Sequence, residues 1–187
     1  MQIEFIGHSA FALRDGEHTV LLDPFISGNP VATKVARDFS PETIILSHAH
    51  GDHVGDTVAI AKRTNAKVIA TAELAGWVGS QGVSGAHGAN HGGTVAFPGG
   101  TTKFTPAWHT SSYDSEAGPV AIGIPAGHVI RFGGKTTYFA GDTCLFGDMA
   151  LIGEEGLDIA ILPIGDNYTM GPKDAIRAIK FLSPLVV

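Results

Sequence analysis

Six residues, His48-Ala49-His50-Gly51-Asp52-His53, follow directly on the short apolar run Thr43-Ile44-Ile45-Leu46-Ser47. A β-branched run of that length reads as a buried strand, so four chemically active side chains begin where a strand gives way to a loop. In extended backbone, residues two apart point the same way. His48 and His50 can therefore offer imidazole nitrogens to one ion, while Asp52 and His53 turn toward a neighbouring position. A polar loop whose histidines merely hydrogen-bond fits this strand-to-loop context less well. Such a cluster needs ligands from elsewhere in the chain, which demands a fold that gathers several strand ends at one edge.

Two other strand ends supply candidates: His109 in Ala107-Trp108-His109-Thr110, and Asp142 in Tyr138-Phe139-Ala140-Gly141-Asp142-Thr143. His109 would complete three imidazoles on the first ion. A carboxylate such as Asp142 can bridge two cations. His8, within Gly7-His8-Ser9, is a secondary candidate for contact with substrate or with a metal ligand, although an exposed turn histidine explains it equally well. Asn167 and Tyr168, just after an apolar strand, are placed to polarise a substrate oxygen, although an Asn-centred turn explains them equally well. His87 and His91 lie among glycines and read as histidines of a flexible loop. Cys144 has no separate histidine–carboxylate pair to activate it and reads as a small packed side chain.

The rest of the pattern is read for organisation. Strands are expected at Gln2–Ile6, Phe11–Arg14 and Thr19–Asp23 as an antiparallel meander, then at Lys67–Ala70, with helices at Thr57–Arg63 and Glu73–Val78. After a glycine-rich stretch from Gly79 to Gly93 come strands at Thr94–Phe97, Lys103–Ala107, Val120–Ile124, Val129–Phe132 and Thr136–Ala140. A helix through Asp148–Glu155, a strand at Ile159–Pro163 and a helix opened by Gly171-Pro172 and running to about Leu182 follow. Two similar halves of this kind predict an α/β (α+β) class with a four-layer αββα sandwich, its ligands at one strand edge. The ending Pro184-Leu185-Val186-Val187 reads as the opening of another buried strand. One domain over residues 1–187 is expected, lacking the strand and helix that would complete it.

Composition narrows the partners. The chain has 187 residues, 44% apolar and 16% charged, enough to bury one core. A formal net charge of -6 argues against long nucleic acid and anionic lipid and favours a small-molecule substrate. The single cysteine excludes an internal disulfide, and the opening Met-Gln-Ile-Glu-Phe lacks a basic, then apolar, secretory leader, so a cytoplasmic location is expected. No stretch has the roughly 18 apolar residues of a membrane span. A sheet edge left open at the C-terminus would favour homo-oligomers.

Taken in order, His48-Ala49-His50-Gly51-Asp52-His53, His109, Gly141-Asp142-Thr143 and Leu22-Asp23-Pro24 resemble the motifs of the metallo-β-lactamase superfamily. Gly7-His8-Ser9 and Ile164-Gly165-Asp166-Asn167-Tyr168-Thr169-Met170-Gly171-Pro172 bring it close to a small prokaryotic family of predicted metal-dependent hydrolases, similar to ascorbate-phosphate lactonases. The resemblance implies that His48, His50 and His109 bind one ion, Asp52 and His53 another, that Asp142 bridges them and that Asp23 supports the ligands. It also implies a further histidine after the last helix, which lies beyond Val187. The implied activity is attack of a metal-bound hydroxide on an ester, lactone or phosphoester, with Asp52 orienting the nucleophile. A phosphodiesterase or nuclease-type hydrolase, or a metal-binding module without turnover, are the rival readings. One or two divalent ions are expected, zinc first, with manganese, iron or nickel also compatible with mixed histidine and carboxylate ligands.

Overall fold

The computed structural model describes residues 1–187. Strands β1 (Gln2–Gly7), β2 (Ala10–Asp15) and β3 (His18–Leu22) form the expected antiparallel meander. To it β4 (Thr43–Ile45), β5 (Lys67–Thr71) and β6 (Ala86–Ala89) add in parallel, making one six-stranded sheet in sequential order. The short helix α1 (Gly51–Val54) carries the second half of the histidine motif. Helices α2 (Thr57–Thr64) and α3 (Ala72–Ser80) are the crossovers that parallel pairing requires.

The second sheet has β7 (Thr94–Phe97), β8 (Gly100–Pro106), β11 (Ala126–Phe132), β12 (Lys135–Phe139) and β13 (Ile159–Ile161) in the order β13-β12-β11-β8-β7. Its pairings are antiparallel except β12 with β13. Helices α4 (Met149–Gly153) and α5 (Pro172–Leu182) follow the last two strands.

Strand periodicity sorts the apolar side chains into three layers of packing. Ile44 and Leu46 face Ile60, Leu74 and Val78 of the helices, while Ile45 between them faces the other sheet. There Leu13, Val20, Leu22 and Ile69 meet Phe104, Ile130, Phe132 and Phe139. Val129 and Tyr138, on the outer face of the second sheet, pack under Met149, Ala175, Ala178 and Leu182. This is the αββα sandwich expected from sequence. No helix is long and apolar enough to cross a membrane.

Three local expectations are corrected. The expected strand Val120–Ile124 is instead β10 (Gly118–Ala121), paired with β9 (Ser112–Ser115) in a two-stranded hairpin outside both sheets. The glycine-rich stretch is not all loop, because it holds β6. A Cβ on Gly88 would lie 2.9 Å from Cα of Ala72, so close packing of α3 on the strand demands the glycine that disguised it. Cys144 is exposed rather than packed. Val186 makes a parallel bridge to Ile159, so the chain's last residues do begin to pair as a strand.

Candidate metal centre

The site lies at one edge of the sandwich, where β4, β8 and β12 end. The motif's apolar strand fixes its position: Leu46 continues the ladder to the carbonyl of Ile69, and the next residues leave the sheet. His48 is wholly buried and His50 half-buried. One ligand-type atom from each of His48, His50 and His109 lies within 4.8 Å of the other two. His48 Nε2 and His50 Nδ1 face each other at 2.9 Å.

A second cluster adjoins the first. His53 is fully buried on α1, and its Nε2 stands 3.5 Å from Oδ2 of Asp142, the same oxygen that lies 3.7 Å from Nε2 of His109. One carboxylate oxygen thus faces both groups. His8 and Asp52 join His53 in a further set of three whose ligand-type atoms lie within 4.8 Å of one another.

Asp23 organises these rings from behind. It is wholly buried and accepts hydrogen bonds from the Ser47 amide (2.8 Å), the Ser47 hydroxyl and His53 Nδ1–H (2.7 Å). With its own proton given to Asp23, Ser47 Oγ accepts from His48 Nδ1–H at 2.9 Å. Both histidines therefore carry a proton on Nδ1 and turn Nε2 toward the cluster, the orientation a ligating imidazole needs. Asp23 holds this place with φ of +38° although a proline follows, a conformation that its backbone alone would avoid.

The electrostatics describe a site short of positive charge. Burial works against charge on His53, but Asp23 and Asp142 outweigh it and push its pKa up to about 10. Burial and the neighbouring histidines hold His48 well below its ordinary value, and burial also lowers His109. Asp142 is pushed up by burial yet ends below its usual range because His53 and His109 face it. Contact with the His8 ring is the main cause that brings Asp52 down to about 2, so it is ionised at neutral pH.

A divalent cation fits these residues. Buried His53 Nε2 has no hydrogen-bond partner, an uncommon state for a polar atom with no access to water. Two nitrogen or oxygen ligands about 2.0–2.2 Å from a tetrahedral ion stand roughly 3.3–3.6 Å apart. The spacings of 3.5 Å and 3.7 Å around Asp142 sit near that range and are too long for good charge-assisted hydrogen bonds.

Of the residues singled out in the sequence, His48, His50, Asp52, His53, His109, Asp142, Asp23 and His8 converge here. Asn167 does not: it is exposed with φ of +30°, and its neighbours Asp166, Tyr168 and Thr169 line the cleft instead. His87 is exposed on β6, and His91 donates to the Pro125 carbonyl at 2.8 Å. Sequence reading missed Ser47, Ser111 and His128. Ser111 accepts from the Ala49 amide (3.2 Å) and donates to the Ile122 carbonyl (2.7 Å), bolting the β9–β10 hairpin to the motif. Ser47 and Ser111 each adjoin or closely follow a ligand candidate, the only signal that could have drawn attention to them.

Two facing sheets flanked by helices, with this histidine and aspartate set at one edge, define the metallo-β-lactamase class. A model of the β-lactamase superfamily domain matches residues 18–186. A UPF0173 metal-dependent hydrolase of Pelotomaculum thermopropionicum is 47% identical over all of this chain and 82% of its own length, and one of Thermus thermophilus is 46% identical over 98% and 80%. Among solved structures, Igni18, a metallo hydrolase of the archaeon Ignicoccus hospitalis, superposes with a TM-score of 0.85 at 37% identity, covering 97% of this chain and 78% of that one. The chain belongs to the UPF0173 metal-dependent hydrolases of the metallo-β-lactamase superfamily.

Proposed function

We propose that the chain hydrolyses a neutral ester, with a lactone or other cyclic ester as the leading substrate class, at a zinc centre held by His48, His50 and His109 and by Asp52, His53 and Asp142. The observation that carries the substrate class is the cleft itself, about 770 Å³, in which His8, His50, Asp52, His109 and Asp142 face Phe5, Phe11, Phe139, Ile161 and Leu162. None of its lining residues is lysine or arginine. A phosphoester site ordinarily supplies such cations to its anionic substrate, whereas an uncharged ester needs only an apolar wall and an electrophile-polarising group.

When bound, the metal supplies Lewis acidity, polarising the substrate carbonyl and lowering the proton affinity of a water beside it. The chain's own residues do the rest. Asp52, ionised and half-exposed to the cleft, accepts a hydrogen bond from the attacking water and so orients it. Asp23, through Ser47 and His53, keeps the rings in one tautomer so that Nε2 stays available. Phe5, Phe11 and Ile161 seat the apolar part of the substrate and exclude water from that side.

The test is a panel of lactones, linear esters and phosphodiesters offered to zinc-loaded protein and to Asp142→Ala and His50→Ala. Lactone or ester turnover that falls at least 100-fold in both variants is expected. Equal rates in all three proteins would sink the reading, and selective phosphodiester turnover would replace the substrate class.

A further inference from the structure

We propose that His8 is itself a metal ligand, joining Asp52 and His53 at the second cation position that the family resemblance already implies; the inference rests on the metal-centre reading above. Asp142 lies beside this group, its Oδ2 3.5 Å from His53 Nε2.

The first argument is the turn that carries His8. Strands β1 and β2 pair Gly7 with Ala10, so His8 and Ser9 are the two central residues of a tight hairpin. His8 has φ of +55° there. Such positions favour glycine, asparagine or aspartate, and a histidine pays roughly 1–2 kcal/mol in backbone strain. That strain is tolerated where the side chain is wanted. The ring is held in place by edge contacts to Phe25 (6.0 Å between centroids) and to His53 (5.1 Å).

The second argument is distance. His8 Nε2 lies 3.3 Å from Oδ2 of Asp52, whereas the imidazole–carboxylate pairs that are plain hydrogen bonds, His53 with Asp23 and His18 with Glu42, measure 2.7 Å and 2.9 Å. Two ligands sharing a tetrahedral ion stand roughly 3.3 Å apart. The third argument is the orphaned Nε2 of His53, wholly buried yet without a hydrogen-bond partner. A cation between His8, Asp52 and His53 gives all three groups a common partner.

Asparagine tolerates a left-handed φ, so His8→Asn removes the imidazole without adding backbone strain, and an unchanged melting temperature of the metal-free proteins verifies that the fold is kept. Chelator-stripped protein is titrated with Zn²⁺ against a chromophoric competitor and with Co²⁺ by visible absorption, and bound metal is counted by mass spectrometry. Two ions per wild-type chain are expected, with the second bound at least tenfold more weakly in His8→Asn and the first unchanged. His50→Ala weakens the first ion instead. Two ions at wild-type affinities in His8→Asn would overturn the proposal, as would a single ion in the wild type whose affinity the substitution leaves alone. The two readings fail separately. Loss of the second ion in His8→Asn with no turnover on any substrate removes the hydrolase and keeps this site; turnover that needs His50 and Asp142 while His8→Asn still binds two ions does the reverse.

Discussion

At the scale of single residues, the buried carboxylate of Asp23 controls more of the site than any group that faces the cleft. It accepts three hydrogen bonds and fixes the tautomers of His48 and His53 through Ser47 and directly. Asp23→Asn keeps the shape but replaces one acceptor oxygen with a donor, so one of those partners loses its acceptor. Metal affinity is expected to fall about 10–100-fold, read by competition with a chromophoric chelator, while circular dichroism stays native. An affinity within twofold of wild type would mean that the rings hold their orientation without it. The ligand candidates were legible in the sequence because strand ends and histidine spacing mark them. The roles of Ser47 and Asp23 were only partly so, since a serine beside a histidine looks the same whether or not it relays a proton.

At the scale of elements, β4 must deliver its C-terminal end to a fixed place, and β11 clamps it there. His128 of β11 is fully buried; its Nε2–H donates to the Leu46 carbonyl (3.1 Å) and its Nδ1 accepts from Thr102 Oγ1 (3.1 Å). Burial is the main cause that lowers its pKa to about 4. The folded value lies below the ordinary 6.5, so this stabilisation is complete above pH 6.5 and is lost as pH falls through about 4. The loss amounts to about 3 kcal/mol. His128→Gln, which cannot ionise, is expected to flatten the acid limb of stability between those limits in urea titrations, although it is less stable at pH 7. An unchanged acid limb would place the titration elsewhere. Helix α1 is held as firmly: a Cβ on Gly55, at φ of +43°, would strike the Pro24 carbonyl at 2.5 Å. Gly55→Ala is expected to cost about 2 kcal/mol or more and to shift Asp52 and His53 with the helix, lowering both melting temperature and metal content. Neither constraint shows in the sequence. Periodicity reports which face of a strand is apolar, as it did for Ile44, Ile45 and Leu46, but not that a histidine in the opposite sheet reaches a carbonyl 82 positions away. For the same reason β6 was hidden: its glycines answer to α3, a neighbour that local pattern cannot see.

At the scale of the whole molecule, the metal and the fold are thermodynamically linked. A cation at 100 times its dissociation constant stabilises the native state by about 2.7 kcal/mol, which for a domain of this size raises the melting temperature by roughly 5–10 °C. The pH dependence of that gain has a definite sign. In the metal-free chain His53 is raised to about 10 from an ordinary 6.5, so its charge contributes stability that is complete below pH 6.5 and fades as pH rises toward 10. The His53 ring faces both Asp23 and Asp142, so its proton offsets the two buried charges together in the metal-free site. A bound cation takes over that task and displaces the proton, so its affinity rises with pH over the same window. The melting temperature of chelator-treated protein is therefore expected to drop between pH 6.5 and 9 while that of the zinc-loaded protein holds nearly level. Calorimetry at matched ionic strength reads the widening gap directly. A gap that narrows with pH would show that His53 does not carry the proton that the metal replaces, and that the two aspartates are neutralised by some other group.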